Sequence, residues 1–157
     1  MKTHNATIRR VGFALSAALF ASPIALTAGG CQLFNEKLTA EPGPAYPEDA
    51  PMGGVLNIQV FRDVTTLRFT NTTTEDIPES TMWLNKRYSA PLPSVASGET
   101  SELDLRSFVD EFGDTYKAGG FFAQREPAPV VLAQIEVPDG NGNPLLYGLV
   151  VVQNKFD

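Results

Sequence analysis

From residue 55 onward the apolar positions recur at every second residue. Leu56, Ile58 and Val60 alternate with Asn57, Gln59 and Phe61; after a turn near Asp63, Leu67 and Phe69 alternate with Arg68 and Thr70. This is the period of half-buried strands. Residues 71–76 are polar and turn-like, and Pro78 bars a central strand there. A third strand is expected over 81–88, with Met82 and Leu84 on one face and Trp83 on the other. Pro91 and Pro93 make 89–98 a loop or an edge, and Leu103 and Leu105 place a fourth strand over 100–105. Residues 107–113 carry the single helical signal: Ser107 as a cap, Phe108 and Phe112 at i, i+4, and Gly113 as a stop. Strands five to seven are expected over 120–124, 130–137 and 145–153, the last two joined by a loop running from Pro138 to Pro144.

The final hairpin has a readable register. If Val137 pairs with Leu145, then Ile135 meets Tyr147, Ala133 meets Leu149 and Val131 meets Val151, which makes one core face. On the other face Gln134 and Glu136 suit water, whereas Val130, Leu132, Val150 and Val152 form an apolar end that requires a cover. Two covers are open: the short helix, laying Phe108 and Phe112 across the sheet, or a protein partner or second copy.

About seven short, turn-punctuated strands in ~100 residues point to an all-β domain, and to a β-sandwich over a barrel. The run Leu67-Arg68-Phe69-Thr70-Asn71, Trp83-Leu84-Asn85 and Ser97-Gly98-Glu99 resembles the small immunoglobulin-like or fibronectin-type modules of bacterial surface proteins. The resemblance is one of pattern; the cysteine pair against which the tryptophan of antibody domains packs is missing. It implies an immunoglobulin-like sandwich with one short helix over 55–157.

The first 30 residues have a different grammar. Lys2, Arg9 and Arg10 precede an apolar run over 11–26, and Ala28, Gly29 and Gly30 lead to Cys31, the single cysteine of the chain. Basic, apolar and small segments in that order form a secretory signal. A cysteine directly after it resembles the lipobox of bacterial lipoproteins, although Ala28 stands where the motif favours Leu. The resemblance implies cleavage before Cys31, acylation of its thiol, and, with Gln32 following, a place in the outer membrane facing the periplasm. An uncleaved membrane helix is the alternative, weakened by Pro23 and the glycine pair. Arg9-Arg10 also leaves a twin-arginine export route open. Residues 31–54, with Pro42, Pro44, Pro47 and Pro51, read as a lipid-attachment cysteine and an extended tether.

Charge and composition narrow the function. The 157 residues hold 12 basic and 18 acidic side chains, and loss of Lys2, Arg9 and Arg10 with the signal leaves nine basic ones, a formal charge of −9 on 127 residues. Such a chain is repelled by nucleic acid, so none is expected as a partner. The single histidine, His4, belongs to the signal. The mature chain therefore has no Ser-His-Asp or Cys-His nucleophile and no His- or Cys-ligated metal site, and no cofactor is expected.

The remaining constellations each have an ordinary reading. Asp139, Asn141 and Asn143 have calcium-loop spacing, but Pro144 and Val150 stand where an EF-hand needs Gly and Glu; a hairpin loop demands the same residues. Asn71-Thr72-Thr73 is a glycosylation sequon that reads better as a turn. Adjacent Phe121 and Phe122 would send one ring to each face of a strand. Asp110, Glu111 and Asp114 crowd the short helix and could bind a cation or act as an acid–base pair, but solvated helix-end acids need no ligand. The expected function is a non-catalytic, lipid-anchored envelope module for binding or assembly. A carboxylate-dependent envelope hydrolase and a module for a small apolar ligand are the alternatives. The anchor is tested by Cys31→Ser, which is expected to leave an unprocessed precursor without acyl label; normal size and labelling would remove it.

Overall fold

Strands with one apolar face must bury it, and here a single sheet does so by curling on itself. The computed structural model describes residues 40–121, 123 and 126–153, all within the unit Glu36–Asp157. Its strands are β1 (Met52–Asp63), β2 (Thr66–Thr70), β3 (Ser80–Leu84), β4 (Tyr88–Leu92), β5 (Thr100–Asp104), β6 (Ala133–Pro138) and β7 (Pro144–Val152). They pair in the order β4-β3-β6-β7-β1-β2-β5, antiparallel throughout except for β1 against β7. The seven strands and the all-β class are as expected; the two facing layers are not. All seven send side chains into one cluster, among them Ile58, Leu67, Met82, Leu92, Leu103, Ile135 and Leu149, and the sheet is barrel-like. The 12-residue β1 is one cause of the curl. Its pairing with β7 shifts register between Met52 and Gly54 and again between Val55 and Gln59, and such irregularities bend and twist a strand.

The ends of the order, β4 and β5, are linked by the chain that follows β5. Val109 exchanges both backbone hydrogen bonds with Ser89 of β4, at 2.8 and 3.0 Å, while Leu105, Phe108 and Tyr116 enter the core. This crossing also explains why the expected helix over 107–113 is missing. Only a 3-10 turn, Leu105–Ser107, forms; Asp104, not Ser107, caps it through Arg106 N, and Phe108 is already extended. Val109 then pairs with Thr115, so Phe108 is buried and Phe112 is 72% exposed. Tertiary pairing has overridden a local i, i+4 signal. Phe112 therefore covers no sheet face.

Three further boundaries move. The expected third strand ends at Leu84, because Asn85 and Lys86 take φ of 53° and 55° and turn the chain into β4. That strand carries Pro91 at the end of the order, where a missing donor breaks no ladder. No strand forms at the described residues of 120–124; Gly119 and Gly120 have φ of 79° and 113°. The final hairpin keeps the expected register, Val137 to Leu145, Ile135 to Tyr147 and Ala133 to Leu149. Its last step fails: Val131 precedes β6 and is exposed, and Val151 pairs with Val60.

Residues 40–51, the described part of the proline-rich stretch before β1, lie against the outside of the sheet. Gly43 N donates to Asp110 O at 2.9 Å, Tyr46 Oη donates to Gln134 Oε1 at 3.0 Å, and Leu146 N donates to Pro51 O at 3.0 Å. The Tyr46 ring meets Trp83 edge-on at 5.2 Å. Trp83 thus faces outward, opposite Met82 and Leu84 as the alternation requires, yet is only 1% exposed. Its indole N–H donates to Glu136 Oε2 at 2.6 Å. Trp83→Ala is expected to destabilise the fold by ~3–5 kcal/mol, and Tyr46→Ala by less, in chemical denaturation; wild-type stability in Trp83→Ala would show that the strap leaves that ring uncovered.

Candidate functional site

The inward phase of β1 runs Leu56, Ile58, Val60 and then Arg62. An arginine in the inward position at a strand end places its charge at the rim of the barrel. There the guanidinium donates to three carbonyls: Nε to Val64 O at 3.0 Å, Nη1 to Ala128 O at 2.6 Å and Nη2 to Ala118 O at 2.7 Å. Ala118 and Ala128 lie on opposite limbs of one loop, whose base is closed by Ala128 N donating to Lys117 O at 2.9 Å. Tyr116 adds its hydroxyl to Ala128 O at 2.8 Å; burial pushes its pKa up, which keeps it a donor at neutral pH. Gly119 allows the limbs to close, since a Cβ there would stand 2.9 Å from Pro127 Cβ.

Beside the described limbs of this loop, at the end of the barrel-like sheet, is an open cleft of about 510 Å³ whose floor is closed by the buried side chains of Val60, Leu67 and Val130. Val60, Leu67 and Val151 line it from the sheet, and Ala118, Pro127, Pro129 and Val130 from the loop and the chain leading to β6; Arg62, Glu126 and Gln153 supply polar groups. Val130 is held there by Asn85, whose Oδ1 accepts from Val131 N at 2.9 Å and Leu132 N at 3.1 Å and whose Nδ2 donates to Pro129 O at 2.9 Å. Val64, also at the lining, has φ of 50°. That is a left-handed conformation that a β-branched residue adopts at a cost of about 1–2 kcal/mol. Val64 opens the two-residue turn between β1 and β2, where Asp63 pairs with Thr66, and a tight hairpin of that length requires positive φ there.

The four aliphatics read as one surface differ in exposure. Val130 is buried and lines the cavity together with half-buried Val152; Leu132 is half-buried; Val150, at 40% exposure, is on the outer face. Phe121 is 95% exposed, and Phe122 lies outside the described residues. Cys31 and the apolar run over 11–26 lie outside the described residues, among which no helix is long and apolar enough to cross a membrane. Of the cavity residues, Arg62 and Val64 were not singled out by sequence reasoning, and Val151 was placed on a core face of the final hairpin but not at a site. Arg62 did carry a signal, a cation in the inward phase, whereas Val64 carried none.

The acidic group is divided. Arg87 donates to Asp110 Oδ2 from Nε at 2.9 Å and Nη2 at 2.6 Å, while Asp110 Oδ1 accepts from Phe112 N at 3.0 Å and Asp114 N at 2.8 Å. Both carboxylate oxygens are engaged. Burial works to raise the Asp110 pKa, but the Arg87 hydrogen bond and the two backbone donors outweigh it and hold the carboxyl below its usual range. Glu111 is exposed, and Asp114 approaches Arg87 at 3.9 Å. Asp139 likewise serves its loop: Oδ1 accepts from Asn141 N at 2.8 Å and Asn143 N at 2.7 Å, bonds that lower its pKa. Asn71 is buried, with Oδ1 accepting from Thr73 N and Oγ1, so the sequon is a turn. No known protein family, curated protein or solved structure matches the chain.

A carboxyl whose pKa is depressed by folding contributes stability above its unfolded pKa of about 3.9 and loses that contribution as pH falls through the folded value. Asp110→Asn is expected to be destabilised by roughly 2 kcal/mol at pH 7, with the gap to wild type narrowing below about pH 4. Parallel stability–pH curves down to pH 2 would contradict the assignment.

Proposed function

We propose that the chain is a non-catalytic binding module of the bacterial cell envelope, tethered through acylated Cys31 and taking a small apolar ligand at the mouth of its barrel. The observation that carries this reading is the 510 Å³ cavity with mostly aliphatic and proline walls. Its size falls within the roughly 300–1,000 Å³ of pockets that hold small organic ligands, and barrel mouths are among the places where such pockets occur. Arg62 supports the reading by fixing both limbs of the covering loop, so the space is built before a ligand arrives. The lipobox-like sequence at Cys31 motivates the anchor, and Gln32 the outer membrane.

A second reading, docking of an envelope partner, draws on the outer face. Val55 is 71% exposed beside Gly148, and Val150 follows two residues along the same strand, so apolar surface remains there.

The neutral probe N-phenyl-1-naphthylamine is expected to bind the purified chain saturably at one site. Val152→Arg, at the half-buried cavity rim, is expected to abolish that binding without changing the melting curve. Absence of saturable binding to wild type, or binding unaffected by Val152→Arg in a folded protein, would remove the cavity from the function.

A further inference from the structure

A sheet that stays open has two edges, and this chain treats them differently. At β4, Ser89 turns its N–H and C=O away from β3, and both are taken by Val109. Pro91, next in the same phase, has no N–H to offer. That edge is closed to a further strand. At β5 the phase is set by the turn between β1 and β2, where Asp63 and Thr66 face each other across two residues and so bond to each other. Thr66 and Arg68 then bond to β1, and Leu67 and Phe69 to Leu103 and Ser101. Asn71 N donating to Glu99 O at 2.8 Å and Leu105 N to Thr65 O at 2.8 Å keep that alternation. The backbone groups of Thr100 and Glu102, and the N–H of Asp104, consequently point away from the sheet. Among the described residues none of these groups has a partner, and all three residues are exposed.

Charge decides what such an edge accepts. Asp104 is engaged with Arg106, its Oδ1 accepting from Arg106 N at 2.9 Å. Glu102 is not: Arg68 stands opposite it on β2, and no ion pair joins the two. A second copy is disfavoured, because β5 paired antiparallel with itself over its full five residues sets Glu102 against Glu102. A strand with a cation at that position meets the free carboxylate instead. On the other face of β5, Leu103 is half-buried and packs against the core, which suits an aliphatic neighbour. We infer that the outer edge of β5 takes an extended basic segment of another protein as an eighth strand, with a lysine or arginine opposite Glu102 and an aliphatic residue beside Leu103. Backbone bonds supply the affinity and the alternate side chains the choice. This surface shares no residue with the lining of the mouth cleft and needs no ligand there.

The test is binding of the end-blocked, fluorescein-labelled peptide Thr-Lys-Val-Lys-Val-Lys-Thr to the purified chain, read by anisotropy. Saturable binding that weakens as salt is raised is expected, with the counterpart Thr-Glu-Val-Glu-Val-Glu-Thr weaker by about tenfold or more. Only one side of an added strand faces β5, so N-methylation of the three lysine amides or of the two valine amides is expected to abolish binding in one case and not in the other. Glu102→Lys is expected to reverse the preference between the two peptides. Glu102→Pro removes an outward N–H that no ladder uses, and is expected to abolish binding with the circular dichroism spectrum unchanged; should it fail to fold, the methylated peptides carry the decision. Absence of binding by the lysine peptide, loss or retention with both methylated forms, or full binding to folded Glu102→Pro would overturn the added strand. Equal binding of the two peptides, or no reversal in Glu102→Lys, would overturn the basic partner.

Discussion

The parallel pairing of β1 with β7 is the constraint on which the other arrangements depend. Hairpins account for β1–β2, β3–β4 and β6–β7, each a local event. The β1–β7 contact instead joins the first described strand to the last, and without it the β4-β3-β6-β7 group and the β1-β2-β5 group would be separate sheets with exposed edges. Because the two strands run the same way, their carboxyl ends finish together. Val60 and Arg62 therefore stand beside Val151 and Val152, and one end of the barrel acquires both its apolar lining and its cation from strands far apart in the chain.

Closing a sheet in this way raises a problem at its two ends, which the chain between β5 and β6 meets. Its buried residues Leu105, Phe108 and Tyr116 complete the core, and Val109 pairs with β4. Further along, the same stretch makes the loop that Arg62 grips. Asp110 secures the crossing, with Arg87 on one side and backbone amides on the other. Its carboxylate is an organising centre for local structure, a role in which low pKa follows from satisfied hydrogen bonds and not from catalytic tuning.

Much of the fold was legible because a period of two needs no tertiary information. Ile58, Val60, Leu67, Phe69, Met82 and Leu84 are all buried, as their spacing required, and the pairing of Val137 with Leu145 followed from the loop between them. The number of layers was not legible, since alternation tells which way a residue faces and nothing of whether the surface it faces is another sheet or the same one curled round. The helix expected at 107–113 rested on two phenylalanines and a glycine, local signals too weak to resist pairing with β4. For the site, Arg62 was visible as a break in the inward phase, but its partners Ala118 and Ala128 lie 56 and 66 residues away. Backbone carbonyls leave no trace in sequence. Tyr46 is the one aromatic residue of 40–51, a stretch otherwise suited to staying extended, and Trp83 lies beneath it.

The strap over 40–51 has a mechanical consequence. From Gly43, bonded to Asp110 near the start of β4, it runs along the sheet to Pro51 at the far end and there reverses into β1. Tension applied from the amino-terminal side would thus meet the strap before any strand of the barrel, parting the Gly43, Tyr46 and Pro51 contacts one after another. Peeling contacts in sequence takes far less force than shearing a strand ladder whose bonds share the load. The strap would behave as a mechanical fuse: it would lengthen under drag and reseat when the load passed, while the β1–β7 ladder and the mouth it forms remained whole.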